Sequence, residues 1–339
     1  MTHPIDCPVP PPQNAPAAPR WHRWLGMSSA YLFVIFLLII GRALSADFLS
    51  ASNLLQVVRD VSILGIVAVG VGFITVSGHY VDLSIPGIMA VSGIVAVALL
   101  PHGFVIAVLA GLAVGTLLGL INGLVVGYLR LNPIIWTLAA MALIDGITRW
   151  AYGGKWIYAD AATPSGALFE GIYRANIFGA VPLAVILLAA AAIVAHLVLH
   201  NTVYGRRLTL TGSAYSVASM TGVNVKRVVA VAFGVSGLMA ALAGIIKTSL
   251  SMYGDVETGL TYDFQAITAV VLGGMVLAGG RGSIAGIIGG VLVIGLLGRI
   301  LPLIPGVDQD MQLAIRGVIF VLVVAISTVY QRKAGRSDA

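Results

Sequence analysis

Residues 202–222 read TVYGRRLTLTGSAYSVASMTG and run directly into Val223-Asn-Val-Lys-Arg227. This polar stretch carries Arg206, Arg207, Lys226 and Arg227 between two apolar runs, Val181–Leu199 and Val228–Ile246, each long enough to cross a bilayer. A basic cluster between two spans belongs on the cytoplasmic face. Between its basic pairs, Ala214, Ala218 and Gly222 recur at i, i+4 and i+8, leaving one helical face almost without side chains. Such a face lets another protein approach closely, as a span-linked helix needs if a soluble motor is to push it. An ordinary cytoplasmic loop is the competing reading, because small-residue spacings also arise by chance.

The rest of the composition agrees with a membrane protein. Of the 339 residues, 59% are hydrophobic and 9% charged, against about 25% charged in soluble domains. Several runs of 18 or more apolar residues predict an all-α polytopic membrane protein. The 41 glycines suit close helix packing in lipid. The net charge of +6 sits mostly in loops and tails, where it sets topology, so it implies no nucleic-acid partner. Cys7, the single cysteine, has no partner within the chain.

Residues 1–25 read as a disordered Pro-rich tail, 26–330 as one transmembrane domain and 331–339 as a second tail. About ten spans are expected, near 28–40, 61–77, 84–100, 105–129, 134–152, 177–199, 228–250, 264–279, 284–301 and 311–330. The first run precedes Ala43-Leu44-Ser45-Ala46, a cleavage-like group, but reads better as a retained span. With both termini cytoplasmic, Arg20, Arg23, Arg130, the central cluster, Arg281, Arg332, Lys333 and Arg336 fall inside. Asp47, Asp160, Glu170, Asp255, Glu257, Asp263, Asp308 and Asp310 then fall in outer connections. The outer segment 153–176 carries Trp156, Tyr158 and Tyr173, which suit either an interfacial belt or an external partner. A weak echo links Gly72–Gly87 with Gly274–Gly286, as in transporters built from repeated halves.

No catalytic constellation, metal site or cofactor site is expected. His196 and His200 lack a nearby acid, and no Walker A pattern is present. Gly279-Gly-Arg-Gly-Ser283 reads as a tight turn rather than a phosphate cradle. Polar residues at membrane depth are the better functional clues. Asp82 lies in a Gly- and Pro-rich break, Asn122 on a span with glycines at 111, 115 and 119, and Asp145 and Arg149 at i, i+4. Trp136 and Thr137 add a stacking face and a hydroxyl, so these six residues suit a neutral polyol pathway. Structural self-pairing of Asp145 with Arg149, and simple helix packing by the glycine ladder, are the alternatives.

Several segments together resemble the ribose-type sugar permeases of bacterial ABC importers. They are Asp82-Leu-Ser84, Gly119-Leu-Ile-Asn-Gly123, Asn132-Pro133 with Thr137-Leu138, Gly205-Arg206 and Thr221-Gly-Val-Asn-Val-Lys-Arg227. Ser236–Gly244, Ala269–Gly274 and Gly279–Ser283 complete the set. The resemblance implies a non-enzymatic, multi-pass subunit of the bacterial inner membrane. Its implied partners are an ABC ATP-binding subunit, a periplasmic sugar-binding protein and a second permease copy or paralogue. The resemblance also makes residues 213–222 the coupling helix, with Arg206, Arg207, Tyr215, Ala218, Gly222, Lys226 and Arg227 as its ATPase-coupling residues.

The chain departs from the pattern at Tyr215-Ser216, where two acidic residues are frequent, at His79–Gly87, and at Asp145-Gly146, where Arg-Gly is frequent. A permease for branched-chain amino acids or nucleosides is the neighbouring reading. An ion-coupled secondary transporter, with Asp82 or Asp145 as coupling carboxylate, is the rival from another class.

Overall fold

The computed structural model describes residues 21–79, 81–177 and 181–336. The expected tail 1–25 and Cys7 fall outside them as far as Arg20, and helix α1 already begins at Trp21. Thirteen α-helices are described: α1 (Trp21–Leu44), α2 (Ala51–Val76), α3 (Ile85–Leu99), α4 (Phe104–Leu129), α5 (Pro133–Tyr152), α6 (Pro164–Arg174) and α7 (Leu183–Asn201) come first. They are followed by α8 (Val203–Ser213), α9 (Tyr215–Met220), α10 (Val225–Ser251), α11 (Tyr262–Leu272), α12 (Ile284–Ile300) and α13 (Gln309–Arg336). Two 3-10 turns, Leu100–His102 and Leu301–Leu303, and two short antiparallel ribbons complete the described elements. One pairs β1 (Ile157–Tyr158) with β4 (Tyr253–Gly254), and the other pairs β2 (Asn176–Ile177) with β3 (Val181–Pro182).

Seven helices, α2, α3 with its following turn to His102, α4, α5, α7, α10 and α12, are long and apolar enough to cross a membrane. The three other expected spans fall on α1, α11 and α13. The expected span 264–279 is a correction, because α11 has only 11 residues and stops before Gly273. At 1.5 Å per residue it covers about 16 Å, roughly half of a hydrocarbon core. The missing outer half is an irregular segment, Met252–Thr261, which runs beside α3. A Cβ on Gly254 would lie 2.9 Å from the Ile94 Cα, and one on Gly259 2.7 Å from the Pro86 Cα. Non-helical backbone at this depth is tolerated because protein covers it. Helix α13 continues to Arg336, so the described part of the expected tail 331–339 is helical.

The core is made by α2 and α10, most of whose apolar side chains are buried, with α3, α4 and α12 against them. The four-residue glycine ladder of α4 is a packing face. A Cβ on Gly119 would come within 2.5 Å of the Phe233 carbonyl oxygen and 2.9 Å of the Gly237 Cα on α10. Without a hydrophobic force between helices in lipid, such backbone-to-backbone approach supplies the attraction. Helix α1 packs on α12, with the Tyr31 hydroxyl donating to the Ala285 carbonyl at 2.8 Å.

At the inner end three chain segments meet through glycine. Gly280 N–H donates to the Val76 carbonyl at 2.9 Å. Gly78 and Gly279 have φ of +82° and +93°, and a Cβ on Gly279 would lie 2.6 Å from the Gly78 Cα and 3.0 Å from the Gly212 Cα. The two stretches of the sequence echo, after α2 and before α12, therefore touch each other. The Gly279–Ser283 turn ends with Ser283 capping α12 through the Gly286 N–H at 3.0 Å.

Gly119→Val is expected to wedge α4 from α10 and destabilise the fold by about 1–3 kcal/mol. Gly146→Ala, on α5 with no atom within 4 Å of the new Cβ, is expected to change stability little. Thermal unfolding of both variants in nanodiscs checks the contrast.

Candidate functional site: a buried polar network between two broken helices

The connection from α2 to α3 leaves Asp82 and Ser84 fully buried. Ser84 donates to Asp82 Oδ1 twice, from its backbone N–H at 2.9 Å and from its hydroxyl at 2.5 Å. The Ser84 oxygen accepts from the Asn122 amide at 2.7 Å, and Asn122 Oδ1 accepts from the Trp136 indole N–H at 3.0 Å. Thr137, one residue on, accepts from Leu83 N–H at 3.0 Å and donates to the Pro133 carbonyl at 2.8 Å. Asn132 caps α5 through the Ile134 N–H at 3.0 Å and so sets where Trp136 and Thr137 stand. Four of the six expected pathway residues, Asp82, Asn122, Trp136 and Thr137, thus belong to one network across α3, α4 and α5. Among the described residues, Asp82 Oδ2 is buried without a hydrogen-bond partner.

Asp145 and Arg149 are not part of it. They pair with each other at 3.0 Å on α5, with side chains 35% and 49% exposed. The neighbouring face of α5, through Leu143, Gly146, Ile147 and Trp150, is open as well.

A cavity of about 350 Å³ lies under the network on the inner side, lined by His79, Val126, Arg130, Asn132, Tyr215 and Val225 among others. Trp136 packs against the apolar cluster that includes Val126, Val225, Val229 and Ala218, so network and cavity share a wall. That wall includes α9. Ala218 is completely buried within the chain, and the outward face of α9 shows Tyr215, Val217 and Met220 instead. Of the small residues expected to form one bare face, Ala218 is taken by the chain's own core, while Ala214 is half-buried. Gly222 is exposed at φ +77° with open space around it. Arg206, Arg207, Lys226 and Arg227 are exposed, with the Lys226 ammonium 5.2 Å over the Tyr128 ring.

Sequence reading missed several polar contacts. Asp263, expected in an outer connection, is buried at the first turn of α11. Arg299 on α12 pairs with Asp60 on α2, and Arg59 donates to Asn176 at 2.8 Å. Position near span ends was their only signal. Trp156 and Tyr253 stack at 5.1 Å, so the outer aromatics partly hold the β1–β4 ribbon together. His196 and His200 stack at 4.3 Å, and no cluster of three metal-ligating residues occurs among the described residues.

A family model described as branched-chain amino acid transport system / permease component matches residues 53–324. The chain belongs to this permease family. It is 34% identical over 302 residues to a ribose import permease protein of Bacillus subtilis, covering 87% of this chain and 91% of that one. It is 30% identical over 334 residues to an L-arabinose ABC transporter permease protein of Azospirillum brasilense, covering 97% and 96%. An Escherichia coli L-arabinose transport system permease protein is 33% identical over 293 residues, covering 86% and 87%. No solved structure matches the chain. The protein is a multi-pass membrane protein and the permease component of an ABC-type transport system, a transport subunit and not an enzyme.

Ser84→Ala and Asn122→Ala each remove two hydrogen bonds from the buried network, the Ser84–Asn122 contact being common to both, and each is expected to cost about 1–3 kcal/mol. Because the two side chains bond directly, the double variant is expected to deviate from additivity by about 0.5–3 kcal/mol. Strictly additive unfolding energies in nanodiscs would mean the contact is not made.

Proposed function

We propose that this permease carries a monosaccharide or related polyol across the bacterial inner membrane, driven by a separate ATPase subunit. The observation that carries the reading is the Asp82–Ser84–Asn122–Trp136 network. It offers hydroxyls, an amide, an indole and one carboxylate at membrane depth, and a polyol is recognised by such hydrogen-bonding groups beside an aromatic face. A zwitterionic amino acid would call for a cation beside its carboxylate, and the network residues include none. The names of the ribose and L-arabinose relatives point the same way.

The ATPase docks on α9. Its outward Tyr215, Val217 and Met220 supply an apolar contact, and the exposed Arg206, Arg207, Lys226 and Arg227 surround it with positive charge. Movement of α9 carries Tyr215, which lines the inner cavity, and Ala218, which packs in the cluster holding Trp136. Displacing Trp136 from Asn122 would then join the cavity to the network, an inward release step. A periplasmic sugar-binding protein delivers substrate from the other side.

A second permease copy covers the open face of α5. Charged side chains exposed to lipid are costly, and Asp145 and Arg149 stand half-exposed on a span. Against a second copy, the same pair would border a wet pathway between the two chains. The open approach at Gly146 suits close packing there.

Two measurements test these placements. Met220→Asp is expected to abolish co-purification of the ATP-binding subunit while the permease remains folded; full recovery would sink the docking on α9. Single cysteines at Leu143, Gly146 and Trp150 are expected to give an oxidised dimer in membranes at one or more positions, with none forming if α5 faces lipid.

A further inference from the structure

We infer that His196 and His200, on the last turns of α7, form a chelating site for a divalent late-transition-metal ion such as Zn²⁺. The site does not depend on which solute the permease carries.

The stretch His196-Leu-Val-Leu-His200 sets two imidazoles one helical turn apart on the same face. Both side chains are exposed, and their rings lie 4.3 Å apart between centroids, tilted by only 26°. His200 Nδ1–H donates to the His196 carbonyl at 3.0 Å. A carbonyl only accepts, so this bond places the proton of the neutral ring on Nδ1 and leaves the lone pair on Nε2. Metal-bound histidines are backed in the same way, because a second ring nitrogen donating to a backbone carbonyl orients the ring and raises its basicity. The two rings therefore stand side by side, one of them already held in the tautomer of a ligand.

Helical i, i+4 histidines bind zinc in metalloproteases, where the acid beside the first histidine is the general base and not a ligand. Leu197 stands at that place here, which removes hydrolytic chemistry and leaves binding intact. The donor set selects the ion. Imidazole suits Zn²⁺, Ni²⁺ and Cu²⁺, whereas Mg²⁺ and Ca²⁺ require oxygen ligands. No group of three metal-ligating side chains occurs among the described residues. Water would fill the remaining positions, and the ion would exchange, unlike one in a closed four-ligand site.

A bound ion would act on the elbow that follows. Thr202 joins α7 to α8, its hydroxyl donating to the Val198 carbonyl at 2.6 Å and accepting from Gly205 N–H at 3.1 Å. Gly205 lies so close to the Val198 and Leu199 carbonyls that no Cβ fits there. A chelate from His196 to His200 clamps the turn that carries both carbonyls, and so stiffens the elbow leading to Arg206 and Arg207.

Titration calorimetry with Zn²⁺ tests the site, using the full chain in phosphatidylcholine nanodiscs with every polyhistidine tag removed and empty nanodiscs subtracted. A saturable site of one ion per chain is expected. His196→Ala and His200→Ala should each weaken it by about tenfold or more. His196→Cys should retain it, since a thiolate also ligates zinc, and His102→Ala, which removes a histidine elsewhere, should leave it unchanged. Cu²⁺ should give an electron paramagnetic resonance spectrum coupled to two imidazole nitrogens in the wild type and to one in each alanine variant. Zn²⁺ should raise the unfolding temperature of the wild type and not that of His200→Ala. No saturable binding by the wild type overturns the inference, and so does wild-type affinity in both alanine variants. Equal competition by Mg²⁺ overturns the class of ion. Should an alanine variant fail to insert, glutamine at the same position decides in its place.

Discussion

A helix broken inside a bilayer leaves amides and carbonyls that lipid cannot satisfy, and the architecture depends on how this chain covers two such breaks. The break between α2 and α3 is closed by side chains: Ser84 and Thr137 take up the polar groups around Asp82, and Asn122 ties them to α4. The break before α11 is closed by proximity instead, with Gly254 and Gly259 letting the extended segment lie directly on α3. Both solutions need α3, α4 and α10 at unusually short distances. The glycine ladder of α4 and its counterparts on α10 meet that need, so features that read as simple packing are what make irregular backbone at the site affordable.

Much of this was legible in the sequence, and the failures have physical causes. Seven spans were visible because a bilayer demands long apolar runs, whatever the tertiary packing. The span at 264–279 was misread because a half-helix and the turn after it, Gly273–Gly279, are as apolar as a full crossing. Asp263 was then placed outside, since counting charges assigns an acid at a span end to the nearest connection. Asp82, Asn122, Trp136 and Thr137 were each singled out on separate grounds. Their union was not visible, because Asn122 stands 38 residues from Ser84, and only folding supplies that contact. For α9, periodicity marked the small face of Ala214, Ala218 and Gly222 but could not say which way it turns. Ala218 turns inward and is buried, Gly222 stays exposed, and the larger Tyr215, Val217 and Met220 are left outside.

That inversion bears on how work could be transmitted. A bare outward face would let a motor slide along α9 with little grip, whereas Tyr215, Val217 and Met220 present side chains to hold. The small residues then serve the opposite purpose. With no bulk at Ala218, α9 can seat against Val126, Val225 and Val229, the side chains that also bound the inner cavity and pack near Trp136. A rigid shift of a six-residue helix would reach those side chains directly, with no long relay. Well-packed interiors transmit such displacements because they compress little. Trp136 is held by one hydrogen bond to a neutral amide, an interaction of about 1 kcal/mol net. A bond of that size can be exchanged during each cycle, while the doubly bonded Asp82–Ser84 contact stays in place. The network therefore grades from strong at its buried acidic end to weak beside the inner cavity, which is the order a release gate requires.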